Sequence, residues 1–166
     1  MAKILDKIPS MTDKDLLTLF NNAHNLLDNS QSKDAIAVID KIQVVWFERL
    51  QLAKKGKYKA TSPDIGMLKS FQYAVGNDGL SQKKRQNILN MIFNSDLPVV
   101  GSPAYTLEWG EKKSKKRYYK INRTLNSLLS SATSNKREGW EKAVIEWRED
   151  IEYIENNLKK LISSND

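Results

Sequence analysis

Residues 118–132 read YYKINRTLNSLLSSA and residues 140–161 read WEKAVIEWREDIEYIENNLKKL, and these two stretches decide the fold. In both, apolar residues recur at alternating spacings of three and four, which places them on one face of an α-helix. The short connection at 133–137 predicts that the two helices pack antiparallel, as a C-terminal hairpin over residues 111–163. We expect this hairpin to bury a shared set of side chains, namely Trp140, Trp147, Ile121 and Leu125.

The same helical spacing extends through the N-terminal third. Thr12 and Asp15 form a near capping box for a helix ending near Asn29, and Ser32 begins a second helix that ends near Lys54. These two helices predict an N-terminal hairpin over residues 12–55. The chain is therefore expected to be a single all-α domain, residues 1–166, of about six helices.

The segment 62–110 is predicted as a middle unit that resembles a helix–turn–helix. Ser62-Pro63-Asp64 has the pattern of a helix start, and that helix is expected to end near Val75. After a glycine-containing turn, Ser81 begins the next helix. From 95 to 110 the helical pattern stops, but the segment is aromatic and apolar, which favours an ordered loop packed on the body. A short strand at 97–100 or 104–108 is an alternative for this loop.

Composition excludes several classes of protein. The chain has no Cys and one His, so disulfides, thiolate metal sites and sites with two imidazoles are excluded. No segment is apolar for long enough to cross a membrane, and the N-terminus does not have the pattern of a signal peptide. We therefore expect a cytoplasmic, non-enzymatic protein with no catalytic residue, metal ligand or cofactor.

Basic residues are concentrated in the middle of the chain. The net charge is +7, and residues 69–123 carry eleven Lys and Arg against four Asp and Glu. No acidic residue lies between Glu111 and Glu138. Such a concentration is typical of surfaces that contact phosphate backbones. The candidate nucleic-acid-binding residues on one helical ridge are Lys112, Lys116, Lys120 and Arg123, with Tyr119 nearby to stack on a base.

A second basic group opens the helix after Ser81. Lys83, Lys84 and Arg85 occupy its first turn, where a helix–turn–helix protein reads base edges. Cations are unfavourable at a helix N-terminus, which indicates a reason for them other than helix stability. A solvated face remains the ordinary interpretation of both basic groups.

Two other functions stay open. A protein–protein interaction domain, with an acidic or helical partner or a second copy of the chain, is the main alternative to a nucleic-acid-associated or regulatory module. A metal-dependent nuclease is the remote alternative, through Pro63-Asp64 with Glu111-Lys112-Lys113, or through Glu146 and Asp150 spaced to hold Mg²⁺. His24 has no partner residue at a catalytic spacing.

The segment from Leu97 to Gly110 reads LPVVGSPAYTLEWG, which fits the pattern LP-x-V-x-S-x-x-Y-x-x-EWG. With this pattern and a later Trp-x-x-Asp helix, the chain resembles a group of uncharacterised bacterial proteins. Where that group has a pair of arginines, this chain has Lys84-Arg85, which departs from the pattern and keeps the charge. The matching residues also include Ser114, Arg117, Trp147, Asp150 and Tyr153. The resemblance implies a shared domain over about residues 66–155 and implies no particular activity.

Overall fold

The regular elements of the protein are all helical. The computed structural model describes residues 2–29, 32–61, 65–135 and 138–162, and in these ranges it contains eight α-helices and a 3-10 turn at Ile8–Ser10, without a strand. The helices are α1 (Ala2–Lys7), α2 (Asp13–Asn29), α3 (Lys33–Lys54), α4 (Met67–Ser70), α5 (Gln82–Asn94), α6 (Pro103–Glu108), α7 (Lys115–Ser134) and α8 (Glu141–Ile162). The all-α class is therefore confirmed, with more helices than expected. Across the described ranges, none of these helices is long and apolar enough to cross a membrane.

The chain forms two compact units, and each is built from two separate segments. Unit 1 comprises Met1–Phe71 and Asp96–Leu107, and unit 2 comprises Gln72–Ser95 and Glu108–Asp166. Unit 1 holds α1 to α4 and most of α6, while unit 2 holds α5, α7 and α8.

The core of unit 1 is aromatic. α2 packs on α3, and the fully buried rings of Phe20 and Trp46 lie 4.6 Å apart between centroids. Phe71 meets Phe20 edge-on at 5.8 Å. Thr12 caps the start of α2 as predicted, because its Oγ1 accepts from the Asp15 N–H at 3.2 Å. The Asp15 carboxylate accepts from the Thr12 hydroxyl at 2.7 Å. Large aromatic side chains contribute much of the buried apolar area in such a small core.

Asp13 ties the start of α2 to the rest of unit 1. Its buried carboxylate accepts hydrogen bonds from Arg49 Nη1 at 2.7 Å, from the Tyr58 hydroxyl at 2.7 Å and from the Thr61 N–H at 2.9 Å. Burial alone would raise the pKa of Asp13, but the bonds from Thr61, Tyr58 and Arg49 outweigh it and lower the pKa below its ordinary value.

The helix predicted from Ser62 to Val75 is wrong in its extent. The start signal Ser62-Pro63-Asp64 lies outside the described residues, and α4 covers Met67–Ser70. The chain turns immediately afterwards, because Gln72 adopts a left-handed backbone with a φ of 63°, which ends a right-handed helix.

The aromatic loop is ordered and partly helical. Val99 and Val100 are buried, as the prediction of a packed loop requires, but α6 occupies the place of the alternative strand at 104–108. Ser102 starts this helix by accepting a hydrogen bond from the Tyr105 N–H at 3.2 Å. The buried Thr106 hydroxyl accepts from the Val100 N–H at 3.0 Å, which holds the extended segment before the helix.

In unit 2, α8 packs on α7 and α5. The predicted core residues Ile121, Leu125 and Trp147 are buried. Trp140 is the exception, since 37% of its surface is exposed. Its indole lies 5.9 Å from that of Trp147, but it precedes the first residue of α8 and so covers the end of the core instead of filling it.

Candidate functional site

The basic stretch that precedes and opens α7 divides into a turn and a helix. Ser114 is the N-cap, and its Oγ accepts from the Arg117 N–H at 3.1 Å, so α7 begins at Lys115. Lys112 and Lys113 lie in the preceding turn, where the Lys113 N–H donates to the carbonyl of Phe93 at 2.8 Å. The expectation that Lys112 extends the helical ridge is therefore wrong.

Arg117 belongs to this basic stretch in sequence but lies in the interior. It is 2% exposed, and its guanidinium donates to four backbone carbonyls. These are Trp109 O at 2.9 Å, Gly110 O at 2.7 Å, Ser95 O at 3.0 Å and, at close range, Ile92 O. A cation at the last carbonyls of α5 also interacts favourably with the helix dipole. Arg117 thus joins α7, the end of α5 and the turn before α7.

Other residues of the stretch remain at the surface. Lys112, Lys116 and Arg123 are exposed, Lys120 is partly exposed and Tyr119 is 55% exposed. We call these five residues the basic surface. The aliphatic stem of Lys116 lies over Gly110, where an added Cβ would come within 2.9 Å of it, so the close approach requires glycine.

The Glu108 carboxylate lies among the cations of the basic surface. Glu108 Oε2 is 2.6 Å from Lys120 Nζ. The hydrogen bond and charge of Lys120 lower the pKa of Glu108, and the charges of Lys116 and Arg123 lower it further. Glu108 was not predicted as part of this surface, because no periodic pattern relates it to Lys120, which follows twelve residues later.

Arg85 is buried in unit 2, so its expected place on an exposed reading face is wrong. It is 1% exposed, and its Nε lies 2.8 Å from Asp150 Oδ2. Its Nη1 lies 3.2 Å from Glu146 and its Nη2 3.0 Å from Glu149. Lys83 and Lys84, in the same turn, are exposed. Cations are unfavourable in the first turn of a helix, and Arg85 is tolerated there because its ion pairs hold α5 to α8.

Asp150 is at the centre of this buried network. Its Oδ2 also accepts a hydrogen bond of 2.6 Å from the Tyr73 hydroxyl, while its Oδ1 has no hydrogen-bond partner among the described residues. Burial raises the pKa of Asp150, with Arg85 and Tyr73 acting in the opposite direction. Burial, together with the charge and the hydrogen bond of Asp150, raises the pKa of the Tyr73 hydroxyl far above its ordinary value.

Glu146 and Asp150 do not form the magnesium site that their spacing allows. Glu146 accepts from the Gly76 N–H at 2.7 Å, and both carboxylates face the guanidinium of Arg85. In the described ranges, no three or more His, Asp and Glu side chains are grouped to hold a metal ion. Of the alternative nuclease residues, Pro63 and Asp64 lie outside those ranges.

A groove of about 530 Å³ runs beside the network. Its charged lining consists of Arg85 and Lys142 against Glu146 and Glu149, with Leu80 and Ile145 as its apolar part. Balanced charges of this kind select neither an anion nor a cation.

No family model, curated protein or solved structure matches the chain. The resemblance to the bacterial group stays a prediction. Several residues of its pattern make hydrogen bonds that stabilise the fold. The Tyr105 hydroxyl accepts from the Met67 N–H at 3.0 Å, and the Tyr153 hydroxyl accepts from Asn90 at 2.7 Å. The N-caps Ser102 and Ser114 and the buried Arg85 and Arg117 also belong to the pattern. These roles are structural, so stabilisation of the fold is enough to explain these residues.

Proposed function

We propose that the basic surface of unit 2 binds the phosphate backbone of nucleic acids without catalysis. The observation that carries this proposal is the surface ion pair of Lys120 Nζ with Glu108 Oε2, 2.6 Å apart, with Lys116 and Arg123 one turn before and after Lys120 on α7. A phosphate oxygen is an acceptor of the same kind as a carboxylate oxygen, so a surface that binds this carboxylate has donors for a phosphate.

The positions of these cations on α7 suit a chain of phosphates. Residues three or four apart on a helix lie about 5–6 Å from each other, so Lys116, Lys120 and Arg123 form a continuous row. Phosphates of one strand recur at a comparable spacing. Glu108 then has a second role, because its carboxylate competes with phosphate for Lys120.

Tyr119 supports single strands as the preferred ligand. Its ring is 55% exposed and it neighbours Lys120 in the helix. Stacking of a base on an exposed aromatic ring contributes about 1–3 kcal/mol and requires an unpaired base. A duplex would contact the cations alone.

The buried arginines make the proposal testable without loss of the fold. Arg117 and Arg85 are both nearly inaccessible and bind groups within unit 2, whereas Lys112, Lys116 and Arg123 are exposed. Glutamine at the exposed positions removes the charge, and at position 116 it keeps the Cβ, Cγ and Cδ atoms that cover Gly110.

The experiment compares two triple variants that lose the same charge. Lys112→Gln/Lys116→Gln/Arg123→Gln removes cations of the basic surface, and Arg148→Gln/Lys159→Gln/Lys160→Gln removes exposed cations of α8. Binding to a single strand and to a duplex is measured by fluorescence anisotropy over a range of salt concentrations. The first variant should flatten the slope of log K against log salt by about 0.7 per lost contact on a single strand and about 0.9 on a duplex. The second should leave the slope near that of the wild type.

Two further variants sharpen the result. Glu108→Gln should strengthen binding and steepen the slope, because it releases Lys120 for phosphate, and Tyr119→Leu should weaken binding to a single strand more than to a duplex. No binding by the wild type at low salt, or equal losses in the two triple variants, would refute the proposal. Equal losses would show that net charge, and not this surface, governs binding.

A further inference from the structure

α3 carries two apolar faces, and one of them has no partner in unit 1. The first is the buried face against α2, which includes Val38, Ile42 and Trp46. The second is an exposed stripe on the opposite side, where Ile36 is 48% exposed, Val44 50% and Phe47 52%. At about 100° per residue, positions 36, 40, 44, 47, 51 and 54 fall within an arc of about 80°. A surface helix ordinarily needs one apolar face, so the second calls for an occupant.

The charges on this exposed stripe are arranged symmetrically about Phe47. Asp40 precedes Phe47 by seven residues and Lys54 follows it by seven, so each lies about 10 Å from it along the helix. Both are exposed, and the described part of the chain provides an ion-pair partner for neither.

We propose that the exposed stripe of α3 binds the same stripe of a second copy of this chain, antiparallel, about a two-fold axis at Phe47. In that arrangement Phe47 meets Phe47 of the second copy, and Asp40 of each copy faces Lys54 of the other. A two-fold interface must be complementary to itself, which this stripe is. A parallel arrangement would instead place Asp40 against Asp40 and Lys54 against Lys54, which is repulsive.

The contact is small, so the dimer is expected to be weak. With the axis at Phe47 the two helices overlap from residue 40 to residue 54, a length of about 21 Å. Each copy contributes Val44 and Phe47 as exposed large apolar side chains, which places the interface in the low size class. Dissociation constants of about 10 µM to 1 mM are ordinary for such contacts. The proposal is independent of phosphate binding, because it uses unit 1 and no residue of the basic surface.

Sedimentation equilibrium of the full chain, at concentrations up to about 1 mM, tests the association. The wild type should show a monomer–dimer equilibrium, and Phe47→Glu should remain monomeric. Ile145→Glu is the matched control, because Ile145 is also exposed, at 57%, but lies on α8. Asp40→Lys should raise the dissociation constant about two- to thirtyfold, and Asp40→Lys/Lys54→Asp should restore it.

Cysteine crosslinking tests the orientation, since the natural chain contains no cysteine. A mixture of Asp40→Cys and Lys54→Cys chains should form disulfide-linked dimers faster than either variant alone. Faster linking by either variant alone would overturn the antiparallel arrangement. A monomeric wild type at the highest concentration, or a dimer that persists in Phe47→Glu, would overturn the interface, and failure of the double charge reversal to restore association would overturn the pairing of Asp40 with Lys54.

Discussion

Removing the Asp150 carboxylate should destabilise unit 2 more than any exposed substitution. In Asp150→Ala, Arg85 loses the acceptor 2.8 Å from its Nε, and the Tyr73 hydroxyl loses the acceptor at 2.6 Å. Asp150 is fully buried and Arg85 is 1% exposed, so water does not readily replace the lost oxygen. Breaking a buried ion pair by removing one partner costs about 3–5 kcal/mol. This is a large part of the roughly 5–15 kcal/mol that stabilises a domain.

A double variant that removes both charges distinguishes the interaction energy of the ion pair from the cost of leaving one buried charge without its partner. Arg85→Met leaves Asp150 without its cation and should also cost about 3–5 kcal/mol. Arg85→Met/Asp150→Leu removes both charges of the pair, although Glu146 still loses its contact with Arg85 and the Tyr73 hydroxyl still loses its acceptor. Its cost should therefore be below the sum of the two single costs but above zero. Tyr73→Phe removes a single hydrogen bond to a charged group and should cost about 1.5–3 kcal/mol.

Urea unfolding followed by far-ultraviolet circular dichroism and tryptophan fluorescence measures these costs. Glu149→Gln is a suitable control, because the Glu149 side chain is 41% exposed and its pair with Arg85 is partly solvated. A cost below about 1 kcal/mol for Asp150→Ala, or strictly additive costs in the double variant, would refute the view that the pair holds α5 to α8.

Four further substitutions test other parts of the structure. Arg117→Lys cannot reach four carbonyls and should lower the free energy of unfolding by at least about 2 kcal/mol in urea titrations, whereas an unchanged midpoint would contradict its buried role. Trp147→Ala should cost about 3–5 kcal/mol and the 37% exposed Trp140→Ala clearly less, so equal costs would show that both indoles are core residues. The pKa of Asp13 is lower in the folded protein, so its stabilising contribution is present above the unfolded pKa near 3.8 and is lost as the pH falls through the folded value. Urea midpoints measured from pH 7 down to pH 2 should therefore fall less steeply in Asp13→Asn than in the wild type, and parallel curves would contradict this.

The longest helices were predictable because apolar residues recur in them at helical spacing. The spacing of Ile121 and Leu125, and of Trp147 in α8, places them in the core without further information. The short α4 was not predictable, because the left-handed backbone at Gln72 that follows it has no signature in a glutamine residue. The prediction that Trp140 is buried was wrong for a related reason. Trp140 fits the apolar spacing of α8 but precedes the first residue of that helix, and the spacing alone does not show where a helix begins.

The basic residues show the limit of charge patterns. In the sequence, nothing distinguishes Arg85 and Arg117 from the basic residues beside them, yet both are buried. Lys116 and Arg123 are exposed. What separates them is the position of an acceptor, and the acceptor of Arg85 follows sixty-five residues later at Asp150. Such partners become visible once the helices are packed, and no local pattern encodes them.

The division of the chain into two units limits which fragments of this protein can contain a whole unit. The backbone passes from one unit to the other three times, after positions 71, 95 and 107. A fragment that ends at residue 71 lacks the segment 96–107, including Tyr105, whose hydroxyl accepts from the Met67 N–H. A continuous fragment that contains all of either unit must therefore also contain the segment of the other unit that lies between its two parts.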